Sequence, residues 1–180
     1  PYIENNYPQY KFFFHHIEVI GDKKYILPFK NINPKVGNYY KKFLSNWNEE
    51  IQTSAIIVNK ECFDNCGCYD NDFKNVFDWE LYIRIAEKYD FYFIPDKLSK
   101  YYYSEIGITH FTNPRNINGA KEIILFLKKY KNKINKETKL KWCFRLNSFS
   151  SIYKKQKKYS LMIKFLSTSI KLLPFNFINL

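Results

Sequence analysis

The stretch from 75 to 90, NVFDWELYIRIAEKYD, has the clearest pattern of apolar and polar positions in the chain. Its apolar residues recur with the period of a helix that buries one face: Trp79, Tyr82, Ile83, Ala86 and Tyr89. Asp78 stands where a side chain can cap the free N–H groups of the first turn. Glu80 follows in that turn, where the helix dipole favours negative charge. The pattern predicts a helix from Asp78 to about Tyr89, capped by Asp78.

The rest of residues 1–115 alternates strand-like runs with turn signals. Two aromatic and β-branched runs around Gly21-Asp22 predict a β-hairpin from 11 to 29. A short helix is expected within 39–47, a short buried strand at 54–59 and a turn of helix at 60–67 that ends at Gly67, followed by a polar loop at 68–75. Residues 90–103, DFYFIPDKLSKYYY, predict a strand, a turn at Pro95-Asp96 and a second strand.

Residues 116–180 have helical periodicity throughout. We expect helices at 118–132, 137–156 and 158–173, the last of them stopped by Pro174. The apolar stripe expected on the third helix contains Met162, Leu166, Ile170 and Leu173. The sequence therefore predicts an α/β part over 1–115 and a helical C-terminal extension over 116–180.

The charge of the chain is concentrated in that extension. Residues 116–180 hold 15 Lys and Arg against only Glu122 and Glu137, whereas residues 1–115 are nearly neutral. Such asymmetry indicates an acidic partner, either nucleic acid or an anionic membrane surface. A solvated lysine-rich face is the structural alternative. Because specific base recognition relies on arginine and the chain has only Arg84, Arg115 and Arg145, we do not expect nucleic acid as the partner.

The four cysteines do not follow a standard zinc pattern. Cys62, Cys66 and Cys68 have C-x3-C-x-C spacing, and Cys143 is remote in sequence. We interpret all four as reduced and mostly buried, as in a cytosolic protein. No signal peptide and no apolar run of about 18 residues is visible.

The middle of the chain resembles glycosyltransferase family 2, inverting enzymes with a nucleotide-sugar-binding GT-A fold. One matching segment is QTSAIIVNKECFDNCGCYDND at 52–72, which places Gly67-Cys68-Tyr69-Asp70 on the family's Gly-x-Phe-Asp. FDWEL at 77–81, followed by Arg84-Ile85-Ala86, is similar to the family's acidic pair and the Arg-Leu-Ala after it. FYFIPDKLSKYYY at 91–103 and SIKLLPFN at 169–176 are similar to later family segments.

The chain departs from the family pattern in three places. Phe77 replaces the first acid of the pair, so Asp78 alone remains, and the family's Arg-x-His falls on Tyr102 and Ser104. The nucleotide-binding half, with its Asp-x-Asp metal motif, would precede residue 1. We do not interpret Asp70-Asn71-Asp72 as that motif.

The resemblance implies specific roles for four residues. Inverting transfer needs a carboxylate that takes the proton of the acceptor hydroxyl, and the resemblance assigns this role to Asp78. It places Asp70, Trp79 and Glu80 on the acceptor side, with Trp79 as a platform for a sugar ring. The alternatives are a plain helix cap for Asp78 and an Asx turn for Asp70. Arg84 is expected to form a structural ion pair or contact phosphate, or to be an ordinary surface arginine.

The resemblance also implies partners and a place in the cell. We expect a partial GT-A-like mixed sheet with flanking helices over 1–115, as the acceptor-side part of the domain. A nucleotide-sugar donor and a saccharide or lipid-linked acceptor are the expected substrates. A divalent cation, Mn or Mg, is expected in the full-length enzyme but not in residues 1–180 alone. The expected location is cytoplasmic, at the inner face of the membrane.

A second hypothesis comes from a different class of protein. The chain would be a non-catalytic module whose basic helices dock on an anionic membrane or nucleic acid, with the α/β part as a scaffold. The missing acid at Phe77 and the missing Arg-x-His favour this hypothesis. An Asp-x-Asp motif upstream of residue 1 would favour the enzyme instead.

Overall fold

A three-stranded mixed sheet organises the N-terminal part of the chain. The computed structural model describes residues 1–20, 35–46, 51–102 and 114–173. Its strands are β1 (Phe12–Ile20), β2 (Ile56–Val58) and β3 (Phe91–Tyr102), in the order β2-β1-β3. β1 pairs antiparallel with β2 and parallel with β3. The second strand of the predicted hairpin, with its glycine turn, lies outside the described residues.

The central strand β1 is covered on both faces. Phe12, Phe13 and Phe14 are all buried, although neighbouring side chains of a strand point to opposite faces. The Phe12 ring contacts Tyr82 at 5.3 Å between centroids, while the Phe13 ring contacts Tyr92 at 5.7 Å. An apolar run without alternation is expected of such a strand.

The turn predicted at Pro95-Asp96 was wrong. β3 continues through both residues, and the pairing with β1 shifts there: His15 is opposite Ile94, and His16 is opposite Lys97. An unpaired insertion of this kind is a β-bulge, which accommodates a proline that has no N–H to donate to the sheet.

The strand predicted at 54–59 is shorter and more exposed than expected. β2 covers only Ile56–Val58, because Thr53–Ala55 form a 3₁₀ turn before it. Ile57 is 42% exposed, so the prediction of a buried strand was wrong. The 3₁₀ turn carries Thr53, whose hydroxyl donates to the Asp78 carboxylate.

Among the described residues of this part of the chain there are four helices: α1 (Tyr2–Asn6), α2 (Tyr40–Ser45), α3 (Lys60–Cys66) and α4 (Phe77–Ala86). The predictions of α2 and α3 are confirmed. The Asn59 side chain caps α3 by accepting from the Glu61 N–H, and α3 ends at Gly67 as expected. The mixed α/β class is confirmed as well.

The chain divides into two compact units. One contains Pro1–Phe43 and Trp47–Asn116, and the other contains Leu44–Asn46 and Ile117–Leu180. The described residues of the second unit are mainly helical, in α5 (Pro114–Tyr130), α6 (Lys136–Lys155) and α7 (Tyr159–Leu172), whose bounds are close to the predicted ones. Within it the buried Trp142 indole donates to the Leu44 carbonyl at 2.7 Å.

The stripe predicted on the third helix was wrong. α7 buries Phe165 and Ser169, whereas Ile170 is 46% exposed. The Phe165 ring stacks on Tyr153 of α6 at 5.3 Å between centroids and also contacts Phe149 at 5.6 Å. Because Phe165 packs in this aromatic cluster, the side of α7 that faces α6 differs from the predicted stripe.

Candidate active site

Asp78 lies in the first turn of α4 and does not cap it. The helix begins at Phe77, and its first hydrogen bond runs from the Glu80 N–H to the Val76 carbonyl at 3.0 Å. The prediction of Asp78 as the N-cap was therefore wrong, because the helix starts one residue earlier. The carboxylate still lies in the turn where the helix dipole favours negative charge.

Both oxygens of the Asp78 carboxylate accept a hydrogen bond. Oδ1 accepts from the Trp79 backbone N–H at 2.8 Å, and Oδ2 accepts from the Thr53 hydroxyl at 2.6 Å. Because each carboxylate oxygen can accept more than one bond, these contacts orient the group without using all of its lone pairs. Asp78 is partly exposed and Thr53 is exposed, so the free lone pairs lie near solvent.

Two tyrosines lie within the electrostatic reach of Asp78. Tyr69 is 44% exposed, and its ring meets the edge of Phe77 at 5.2 Å between centroids. Burial and, to a lesser degree, the negative charge of Asp78 raise the pKa of Tyr69. Its phenol therefore stays protonated at neutral pH and remains able to donate a hydrogen bond.

The Tyr82 hydroxyl is the more unusual group. The side chain is fully buried, and its oxygen has no hydrogen-bond partner among the described residues. Burial and then the charge of Asp78 raise the pKa of Tyr82, with a lesser opposing effect from the Thr53 hydroxyl. The Tyr82 phenol therefore stays protonated at neutral pH.

Glu80 forms a buried ion pair with Arg84, one helical turn further along α4. Glu80 is 0% exposed, and its two oxygens accept from Nε and Nη2 of Arg84 at 2.9–3.1 Å. Arg84 also donates to the carbonyls of Cys66, Gly67 and Cys68. Of the roles expected for Arg84, the structure therefore contains the structural ion pair. The Glu80 carboxylate has no exposed surface with which to contact an acceptor.

Arg84 also connects the loop that begins at Gly67 to helix α4. The three carbonyls belong to the end of α3 and the start of the loop that leads to Tyr69 and Asp70. A cation at a helix C-terminus satisfies carbonyls that lack intrahelical partners. Arg84 therefore fixes this loop against α4, which carries Asp78.

Trp79 is a core residue in this structure. It is 1% exposed, and its indole N–H donates to the Phe43 carbonyl at 3.1 Å. A sugar platform needs an open ring face, which Trp79 does not offer. The exposed aromatic ring beside Asp78 is that of Tyr69.

Asp70 forms the turn considered as its structural alternative. Its Oδ1 accepts from the Asp72 N–H at 3.0 Å, and its carbonyl accepts from the Phe73 N–H at 3.0 Å. This Asx turn shapes the loop after Tyr69. A role in binding the acceptor stays a prediction.

No metal centre is found in the parts of the chain that the structure describes, where no three His, Cys, Asp or Glu side chains are grouped to hold an ion. The four cysteines are free, and Cys62 and Cys143 are buried. Burial raises the pKa of the Cys62 thiol to about 11, so it is unreactive at neutral pH.

Gly67 is required by its backbone conformation. Its φ of +79° with ψ of 166° lies in a region that other residues adopt only with strain. A methyl group there would meet Arg84 Nη1 at 3.4 Å, an ordinary contact. We expect Gly67→Ala to lower the free energy of unfolding by about 1–3 kcal/mol through backbone strain, measured by urea denaturation. Lys74→Ala, at an exposed loop position, is the control. An equal effect of the two substitutions would contradict this assignment.

Comparisons with known proteins do not assign the chain to a family. No family model, no curated protein and no solved structure matches the chain. Among the described residues, no helix is long and apolar enough to cross a membrane. A function for the chain is therefore inferred from the motif resemblance and from the geometry around Asp78.

Three residues around Asp78 were not predicted as site residues from the sequence: Thr53, Tyr69 and Tyr82. A signal for Tyr82 exists, because it lies four residues after Asp78 and shares that side of α4. Tyr69 occupies the aromatic position of the matched Gly-x-Phe-Asp motif. The contact of Thr53 with Asp78 spans 25 residues of sequence and has no local signal.

Proposed function

We propose that the chain is the acceptor-side part of an inverting glycosyltransferase in which Asp78 is the general base. The observation that carries the proposal is the Asp78 carboxylate, which is partly exposed and oriented by Thr53 and the Trp79 N–H. The motif order from residue 52 to 103 supports it. The reaction transfers a sugar from a nucleotide-sugar donor to a saccharide or lipid-linked acceptor.

The position of the Asp78 carboxylate suits a general base. A general base must be ionised, correctly oriented and open to the proton that it accepts. The two hydrogen bonds orient the Asp78 carboxylate, and its partial exposure leaves it open to an acceptor. As the acceptor oxygen bonds to the anomeric carbon, its proton passes to Asp78. The bond to the nucleoside diphosphate breaks, and the diphosphate leaves with the electron pair.

The remaining parts of the site take supporting roles in this proposal. The exposed Tyr69 ring is available to stack on an acceptor sugar, in place of the buried Trp79. The Asx turn at Asp70 shapes the loop that presents Tyr69. The donor and the divalent cation, Mn or Mg, bind to a nucleotide-binding part that precedes residue 1 in the proposed enzyme, at the inner face of the membrane.

Thr53 provides a test of how Asp78 is positioned. Thr53→Val keeps the side-chain shape but removes the hydroxyl that donates to Asp78 Oδ2. Because a hydrogen bond to a charged group is worth roughly 1.5–3 kcal/mol, we expect kcat to fall about tenfold or more, with KM little changed. Steady-state transfer assays on the longer enzyme measure this effect. Thr53→Ser, which keeps the hydroxyl, should retain most activity. Equal activity of Val and Ser variants would exclude a positioning role for Thr53.

A further inference from the structure

Helix α7 exposes an apolar face. Tyr159 is 55% exposed, Ile163 60% and Ile170 46%, and Leu166 between them is partly exposed. These four residues, hereafter the α7 apolar face, recur at i, i+4, i+7 and i+11, so they lie along one side of the helix. The side that packs on α6 is a different one, formed by Phe165 and Ser169.

Lysines surround this apolar face. Lys164 and Lys171 are exposed on α7 itself, and four more exposed lysines come directly before it: Lys154, Lys155, Lys157 and Lys158. No acidic residue follows Glu137 in the sequence. The exposed side of α7 therefore combines apolar side chains with exposed lysines.

We propose that α7 binds flat on an anionic lipid surface, with its apolar face among the acyl chains and its lysines at the headgroups. Helices that lie in the membrane interface have this combination of an apolar side and a lysine-rich side. Each lysine near an anionic surface contributes about fivefold in affinity at low salt. This inference does not depend on the glycosyltransferase proposal.

The two other occupants of such a face fit the observations less well. Nucleic acid would neutralise the lysines, but its phosphates gain nothing from Ile163 and Ile170. A second copy of the chain, docked by two-fold symmetry through the same face, would bring the Lys164 and Lys171 side chains of both copies together without acidic partners. Anionic lipid satisfies both features at once.

Vesicle flotation of the 180-residue chain tests the proposal. The vesicles are phosphatidylcholine alone, or equal parts phosphatidylcholine and phosphatidylglycerol. One variant is Ile163→Ser with Ile170→Ser, and its matched control is Ile57→Ser with Leu98→Ser, two exposed apolar residues of the other unit. The charge variant is Lys164→Gln with Lys171→Gln, and its control is Lys41→Gln with Lys74→Gln, also exposed lysines. Circular dichroism checks that every variant is folded.

We expect the wild-type chain to float with the anionic vesicles only, and less so at high salt. Both α7 variants should bind at least about tenfold more weakly, while both controls bind like the wild type. If the α7 variants bound anionic vesicles as well as the wild type does, the proposal would be overturned. Preferential retention by RNA or DNA would overturn it as well. A third result would also overturn it: the wild-type chain fails to float and is a dimer in solution, and Ile163→Ser with Ile170→Ser converts that dimer to a monomer.

Discussion

Asp78→Asn should lower glycosyl transfer by the longer enzyme by about a hundredfold or more, the usual scale for loss of a general base. Asparagine keeps the shape of the side chain, and its carbonyl oxygen can still accept from the Trp79 N–H. It cannot take up the acceptor's proton as the bond to the anomeric carbon forms. The loss should therefore appear in kcat, measured as release of nucleoside diphosphate in the presence of acceptor.

The stability of this variant should change little. Removing a charge from the first turn of a helix costs about 0.3–1 kcal/mol, which urea denaturation can resolve. Asp72→Asn is the matched control, because Asp72 is an exposed carboxylate on the loop that precedes α4. Turnover by Asp78→Asn within a few fold of this control would return Asp78 to a structural role.

Arg84→Met should lower the free energy of unfolding by about 3–5 kcal/mol, the usual cost of breaking a buried ion pair by removing one of its members. Glu80 has no exposed surface, and Arg84 occupies both of its carboxylate oxygens. The substitution also removes the donor to the carbonyls of Cys66, Gly67 and Cys68. Chemical denaturation of the isolated chain measures the change.

The ion pair predicts a specific pattern among further variants. Glu80→Leu combined with Arg84→Met removes both charges, so it should recover part of the stability that Arg84→Met loses. Lys74→Met is the control for loss of an exposed cation, since Lys74 is an exposed residue of the loop before α4. If Arg84→Met were no more destabilising than Lys74→Met, the contacts of Arg84 with Glu80 and the loop would carry no stability.

Elements with local signals were predictable from the sequence. α3 has a capping Asn59 and a terminating Gly67 within nine positions of each other, so both of its ends could be located. The helices of the extension follow from apolar periodicity over more than a dozen residues each. In these segments the local preference and the tertiary contacts agree.

The errors arose where distant contacts decide the structure. Pro95 indicated a turn, but pairing with β1 keeps the chain extended and the proline is accommodated in a bulge. The stripe on α7 followed the longest run of apolar spacing, but the Tyr153 and Phe149 rings select Phe165 as the buried residue. Neither partner is identifiable from the local sequence.

The candidate site divides in the same way. A motif resemblance singled out Asp78 as a candidate base, but the orientation of its carboxylate depends on Thr53, which a 3₁₀ turn 25 residues earlier supplies. The resemblance placed Trp79 and Glu80, which adjoin Asp78 in sequence, on the acceptor side. On a helix, adjacent residues point in different directions, and both of these side chains point into the protein.

The anomeric configuration of the product tests the central proposal most directly. The longer enzyme would be incubated with a panel of α-linked nucleotide-sugars and a saccharide or lipid-linked acceptor, and the new linkage assigned by proton NMR. A single displacement assisted by Asp78 predicts a β-linked product that is absent with Asp78→Asn. An α-linked product, or a β-linked product formed equally well by Asp78→Asn, would contradict the account.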